Sequence, residues 1–111
     1  MSAAPGFAIG IVGERIDPGF RSTRALLDAG DLAGIEALAA RQAAAGACCL
    51  NISVGARAMQ EPAFMAEVVR AAQAGARLPL SFDFQGAAAQ RACLEAYERE
   101  RSGGALPLVN Y

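Results

Sequence analysis

Ile9-Gly10-Ile11-Val12-Gly13-Glu14-Arg15-Ile16-Asp17-Pro18-Gly19-Phe20 is the stretch on which the fold turns. Apolar and glycine residues run straight into Glu14, Arg15 and Asp17, and Pro18-Gly19 then turns the chain. A short apolar run closed by turn residues predicts a strand buried on both faces. Charges just past its end fill no core. They are expected at the carboxyl edge of a parallel sheet, where α/β proteins bind their ligands.

The rest of the chain repeats that layout. Arg21–Gly30 reads as a loop or short helical lead-in, with one turn over Arg24–Leu27. Asp31 caps the first clear helix, whose Leu32, Ile35, Leu38, Ala39 and Ala43 recur at helical spacing before Gly46 stops it. Ala47–Val54 is the second strand, closed by Gly55. A connector carrying Arg57 leads to Pro62 at the first position of a helix that buries Phe64, Met65, Val68, Val69 and Ala72 and ends at Gly75. Pro79 opens the third strand, Leu80–Phe84. Gly86 precedes a third helix that turns Ala89, Cys93, Ala96 and Tyr97 inward and runs to Gly103-Gly104, with Glu95 and Arg99 paired on its outer face. Pro107–Tyr111 is the fourth strand.

The order βαβαβαβ requires parallel strands joined by right-handed helical crossovers. The first strand-to-helix connection is long, and no Gly-x-Gly-x-x-Gly fingerprint opens a helix, which disfavours a nucleotide-binding doubly wound sheet. The fold predicted is α/β: residues 1–111 as the N-terminal, parallel half of a (β/α)₈ TIM-type barrel, truncated at strand four. The expected strand order is 1-2-3-4, with all helices on one face.

Composition narrows the function. The 111 residues carry a net charge of −1 and ten basic residues, all arginine and dispersed, which argues against nucleic acid as a partner. There is no histidine, so a Ser-His-Asp triad, a Cys-His pair and any His-based zinc site are excluded within this sequence, and no bound metal is expected. No apolar run approaches the roughly 20 residues of a membrane span, and no basic residue precedes the N-terminal apolar stretch as in a secretory signal. Three cysteines give no disulfide framework, so the cytoplasm is expected. Cys48-Cys49 and Cys93 read as core residues.

Polar residues stand at each strand end: Glu14, Arg15 and Asp17; Asn51 and Ser53; Asp83; Asn110. Asp83, between Phe82 and Phe84, reads as an unpaired carboxylate in need of a bound donor. A carboxylate among aromatic and amide groups suits a flat heterocycle with adjacent N–H donors. The 2-amino-4-oxo-pyrimidine ring of a pterin is one, and asparagines meet its remaining donors and acceptors.

Four motifs then match one family. Val12-Gly13-Glu14-Arg15-Ile16-Asp17-Pro18 resembles the Gly-Glu-Arg-Ile-Asn opening of methyltetrahydrofolate:corrinoid methyltransferases. Leu50-Asn51-Ile52-Ser53-Val54-Gly55 is similar to their Leu-Asp-x-Asn-Val-Gly strand. Ser81-Phe82-Asp83 is similar to the strand of their pterin-binding aspartate, and Leu108-Val109-Asn110 to that of a pterin-contacting asparagine. The resemblance implies a pterin-binding barrel of the dihydropteroate synthase type. Its substrate would be methyltetrahydrofolate, whose N5 methyl passes to Co(I) of a corrinoid carried on a separate protein. Asp83 and Asn110 carry over as pterin ligands, with Asn51, Ser53, Glu14 and Asp17 as further candidates. Three positions depart from the pattern: Asp17 stands for Asn, Asn51 for Asp and Ser53 for Asn. An amide at 51 cannot accept two ring protons. The later strands of the family hold the group that activates N5, so this part of the barrel is expected to bind weakly without turnover.

Two alternatives stand beside this: a catalytically silent fragment or assembly module that completes a barrel with a partner, and a dihydropteroate synthase-like enzyme. The latter lacks its Asn-x-Thr-Pro-Asp-Ser-Phe opening here. Ile9–Val12 and Leu108–Val109 carry no charge within their strands, and Ile11 and Ile52 are expected on an open inner face. The isolated chain is therefore expected to dimerise, to aggregate or to depend on the missing barrel half.

Overall fold

The computed structural model describes residues 12–16, 21–53, 61–83 and 86–110, with the backbone alone at 14, 15, 21, 22 and 110. In chain order the elements are β1 (Val12–Ile16), α1 (Arg21–Ala29), α2 (Leu32–Ala44), β2 (Cys49–Ile52), α3 (Pro62–Gly75), β3 (Leu80–Asp83), α4 (Ala87–Ala96), a 3₁₀ turn (Arg99–Ser102) and β4 (Leu108–Asn110). All pairings are parallel, in the order β1-β2-β3-β4. Helix α2 packs along α3 and α3 along α4; helices that touch in succession share one face of the sheet. The expected parallel α/β architecture and strand order are both present.

Alternation along the strands builds the core. Leu50 pairs with Leu80 and Ile52 with Phe82, and all four are fully buried against the helices with Ile35, Met65, Val68, Val69 and Cys93. Burying each large apolar side chain contributes about 1.5–3 kcal/mol. Phe82 meets Tyr97 edge to face at a centroid distance of 6.2 Å. The expectation that Ile52 lies on an open inner face is therefore wrong. Period-2 geometry sends Ile52 to the helix side and its neighbours Asn51 and Ser53 to the other.

Ile9, Gly10 and Ile11 of the expected first strand lie outside the described residues, and β1 is described over Val12–Ile16. Glu14 and Arg15 lie within β1 rather than beyond it, and Val12 is 49% exposed, so β1 is neither charge-free nor buried on both faces. Gly13 has a packing role there: a Cβ would come within 2.5 Å of Gln42 Oε1 and 2.9 Å of Leu50 Cδ2. Its bare backbone lets α2 approach the sheet.

Residues 21–29, expected as a loop with one helical turn, form the whole of α1. Among the described residues the element order is accordingly βααβαβαβ. Thr23 and Leu27 are buried and Leu26 is half-buried on one stripe. Gly30, at φ +66°, closes the helix: Asp31 N–H donates to the Leu26 carbonyl at 2.9 Å and Gly30 N–H to that of Leu27 at 3.2 Å, the paired bonds of a Schellman stop. Asp31 then caps α2 as predicted, its carboxylate accepting from Gly34 N–H at 2.9 Å. Gly46 closes α2 with the same pair of bonds, from Ala47 to Gln42 and from Gly46 to Ala43. Pro62 opens α3 at its first turn.

The third predicted helix stops seven residues before Gly103. Tyr97 turns extended, at φ −69° and ψ 128°. Its hydroxyl lies 2.7 Å from that of Ser102 and 2.9 Å from the Ala105 carbonyl. Buried Gln73 on α3 holds the same turn by donating to the Glu98 carbonyl at 3.0 Å and accepting from Glu98 N–H at 2.9 Å. Arg99 consequently leaves the helix and donates to the Gly104 carbonyl, so the expected Glu95–Arg99 helical pair is not made.

Candidate functional site

On the sheet face away from the helices, register assembles a polar grid. Asn51 on β2 stands opposite Ser81 on β3, which in turn stands opposite Leu108 on β4. Two residues further along β3, Asp83 pairs with Asn110. Ser53 follows β2, its N–H donating to the Ile16 carbonyl at 2.8 Å. These positions lie at or near the carboxyl ends of their strands, where parallel α/β sheets place ligands.

Asn51 and Asp83 are in direct contact: Asn51 Nδ2 donates to Asp83 Oδ2 at 3.4 Å, a diagonal link between neighbouring strands. A carboxylate only accepts, so Asn51 presents its amide nitrogen and retains its carbonyl oxygen as a second acceptor. Asp83 is half-buried. The reading of Asp83 as an unpaired carboxylate among aromatic rings is thereby corrected. Phe82 crosses to the helix side, and Asn51 supplies a donor from within the chain. An ionised carboxylate has roughly four lone-pair sites, which leaves capacity for further donors.

The other candidates are placed less fully. The register of β1 on β2 shifts between the Gly13–Leu50 and Ile16–Ile52 pairs, the interval that holds Glu14 and Arg15 on β1 and Asn51 on β2. Asp17, Arg57 and Phe84 lie outside the described residues. Ser81 belongs to the grid but is absent from the sequence-derived candidates. It is 6% exposed and shares the face of Asn51 and Asp83; the signal was simply its spacing of two from Asp83.

The opposite end of the sheet offers less chemistry. A surface depression of about 700 Å³ there is lined by Arg77 and by Glu98 to Arg101. Arg77 donates to the Glu100 carbonyl, Arg99 to that of Gly104, and Arg101 pairs with Glu98. Those arginines tie down the turn before β4. Cys48 is exposed and Cys49 half-buried, which corrects their reading as core residues; burial, with the adjacent Cys48, pushes the Cys49 thiol pKa up. Cys93 is in the core as expected, and burial pushes its thiol up to about 12.

Among the described residues no three of His, Cys, Asp and Glu converge on a common point, and no helix is long and apolar enough to cross a membrane. No protein-family model matches the chain, and no characterised protein matches it in sequence.

Proposed function

We propose that the carboxyl edge of this sheet binds the 2-amino-4-oxo-pyrimidine edge of a pterin. The four strands would form the N-terminal half of a (β/α)₈-type barrel, and the bound compound would be methyltetrahydrofolate, whose N5 methyl passes to Co(I) of a corrinoid on a separate protein. The observation that carries the proposal is the alignment of Asn51, Asp83 and Asn110 on three adjacent strands, with Asn51 bonded to Asp83. Asp83 takes the paired N–H donors of the ring, and the asparagine amides offer both donor and acceptor to its flanks. Leu108, 65% exposed beside Ser81, gives the flat ring an apolar neighbour. Three free thiols suit a reducing compartment, so we place the protein in the cytoplasm.

Titration of the chain with methyltetrahydrofolate by calorimetry tests this. Asp83→Asn removes the charge and keeps the shape, and it is expected to weaken binding about tenfold or more. Ser53→Ala is expected to cost only about three- to fivefold, since charge-assisted bonds contribute roughly 1.5–3 kcal/mol against about 1 for a neutral one. Equal losses, or no binding by the unmodified chain, would reject the proposal.

A second reading has its own support. The edge strand β4 exposes Leu108 and Val109, and Leu106 just before it is 67% exposed. Such an edge fits a module that completes its barrel by docking a partner half, a second copy of this chain included.

A further inference from the structure

We propose that the arginines gathered between α3 and the turn before β4 form a binding site for a diphosphate group, independent of pterin binding at the carboxyl edge of the sheet. Arg70, Arg77, Arg99 and Arg101 are scattered in sequence, and the fold brings them around two adjoining depressions of about 700 and 170 Å³ that share Arg101 and Glu98. Arg70 comes from α3 and Arg77 from the segment just after it, while Arg99 and Arg101 belong to the 3₁₀ turn. Four of the ten basic residues of the chain thus meet in one place. Among the described residues the acids that line it are Glu98 and Glu100. Four arginines against two glutamates leave an excess of two positive charges.

How these arginines are held points to an anionic ligand. Arg77 Nη2 donates to the Glu100 carbonyl at 3.4 Å, and Arg99 Nε and Nη2 both donate to the Gly104 carbonyl, at 3.2 and 2.9 Å. A backbone carbonyl fixes a guanidinium in place without cancelling its charge. Arg101 is matched by the Glu98 carboxylate, and Arg70 makes no hydrogen bond or ion pair among the described residues. Each of the three anchored arginines keeps at least three of its five N–H donors. Planar forks of this kind match the paired oxygens of a phosphate, and side chains already held lose less freedom on binding. Two linked phosphoryl groups suit both the charge excess and the spread over two depressions. The net charge of −1 makes this a local site and not a surface for nucleic acid.

Calorimetric titration of the chain with inorganic diphosphate at low ionic strength tests this, with inorganic phosphate, a nucleoside diphosphate and a single-stranded oligonucleotide as further probes. One-to-one binding of diphosphate is expected, about tenfold or more tighter than that of phosphate, and weakened by added salt because the arginines are exposed. Arg70→Gln and Arg77→Gln are each expected to weaken it about three- to tenfold. Glu100→Gln removes a lining carboxylate, keeps the carbonyl that Arg77 uses, and is expected to strengthen it about two- to fivefold. Arg41→Gln on α2, outside the site, changes the net charge as Arg70→Gln does and is expected to hold affinity within about twofold. Arg70→Gln has no bond to lose and is expected to melt as the unmodified chain does, so its loss of affinity reads the site and not the turn. Absence of diphosphate binding, equal affinity for phosphate, or an equal loss in Arg41→Gln would overturn the site. Tighter binding of the oligonucleotide than of either diphosphate would overturn it in favour of a nucleic-acid surface. A nucleoside diphosphate that binds more tightly than inorganic diphosphate would support the site with a nucleotide as the source of the group, and equal affinity would support it for the diphosphate alone.

Discussion

Single side chains in this protein are governed by which face of the sheet they occupy. Phe82 and Asp83 are neighbours in sequence, yet Phe82 is sealed against the helices while Asp83 meets Asn51 on the other side. The three thiols differ for the same kind of reason. With a charged alkylating reagent near pH 8, Cys48 is expected to label first, Cys49 more slowly and Cys93 only when the chain unfolds. The pH dependence follows from the raised values. The Cys49 thiol is protonated further up the pH scale than an unburied one, so raising the pH should speed its labelling and narrow its lag behind Cys48. For Cys93 the folded value near 12 lies above the ordinary thiol value of 9.0. The unfolded chain then releases its proton first, and the contribution of this group to stability is intact below about pH 9 and declines from there toward pH 12. Mass spectrometry of labelled peptides checks the order, and prompt labelling of Cys93 in the folded chain would contradict it.

Elements are held by a few contacts between backbones that no periodicity reveals. Helix α2 meets α3 at Gly75, where an added Cβ would strike the carbonyl oxygen of Glu36 and lie 3.2 Å from the Ala39 Cβ. A backbone atom cannot swing aside as a side chain can. Gly75→Ala is therefore expected to destabilise by about 1–3 kcal/mol, even though alanine favours a helix. The turn between α4 and β4 depends similarly on Gln73, whose amide satisfies both the N–H and the carbonyl of Glu98. Gln73→Ala should cost about 1–3 kcal/mol and lower the melting temperature by several degrees. Thermal or urea denaturation measures both, and a neutral result for either would show that the helix or turn relaxes around the change.

The sheet as a whole ends in two unlike edges. β1 carries Glu14 and Arg15 within the strand, the sort of charge that discourages strand addition. β4 carries no charge and exposes Leu108 at 65% and Val109 at 42%. Burying such surface is worth about 25 cal/mol per Å². The chain is accordingly expected to self-associate at micromolar concentration through β4, and the double change Leu106→Lys, Leu108→Lys is expected to shift it toward monomer. Sedimentation velocity reads both, and a monodisperse monomer of the unmodified chain would refute adhesion at this edge.

The sequence by itself determined the order of the four strands and of the helices α2, α3 and α4 between them, because apolar spacing of two or of three and four is a local property. It likewise determined the caps at Asp31 and Pro62 and the stop at Gly46, since caps act within one turn of their own residues. It pointed to Asn51, Asp83 and Asn110, since polar residues at the ends of parallel strands share an edge whatever the details. Helix α1 was legible only in part, because its apolar stripe is short and its Schellman bonds show only in three dimensions. Tertiary structure alone decided that Asn51 donates to Asp83, that Ile52 faces the helices, and that Ser81 stands opposite Asn51. Register sets these, and a shift of one residue would exchange the faces of every side chain. The end of α4 was decided there as well: Gln73 reaches across from α3 to hold Glu98, and a contact between residues 25 apart leaves no local mark.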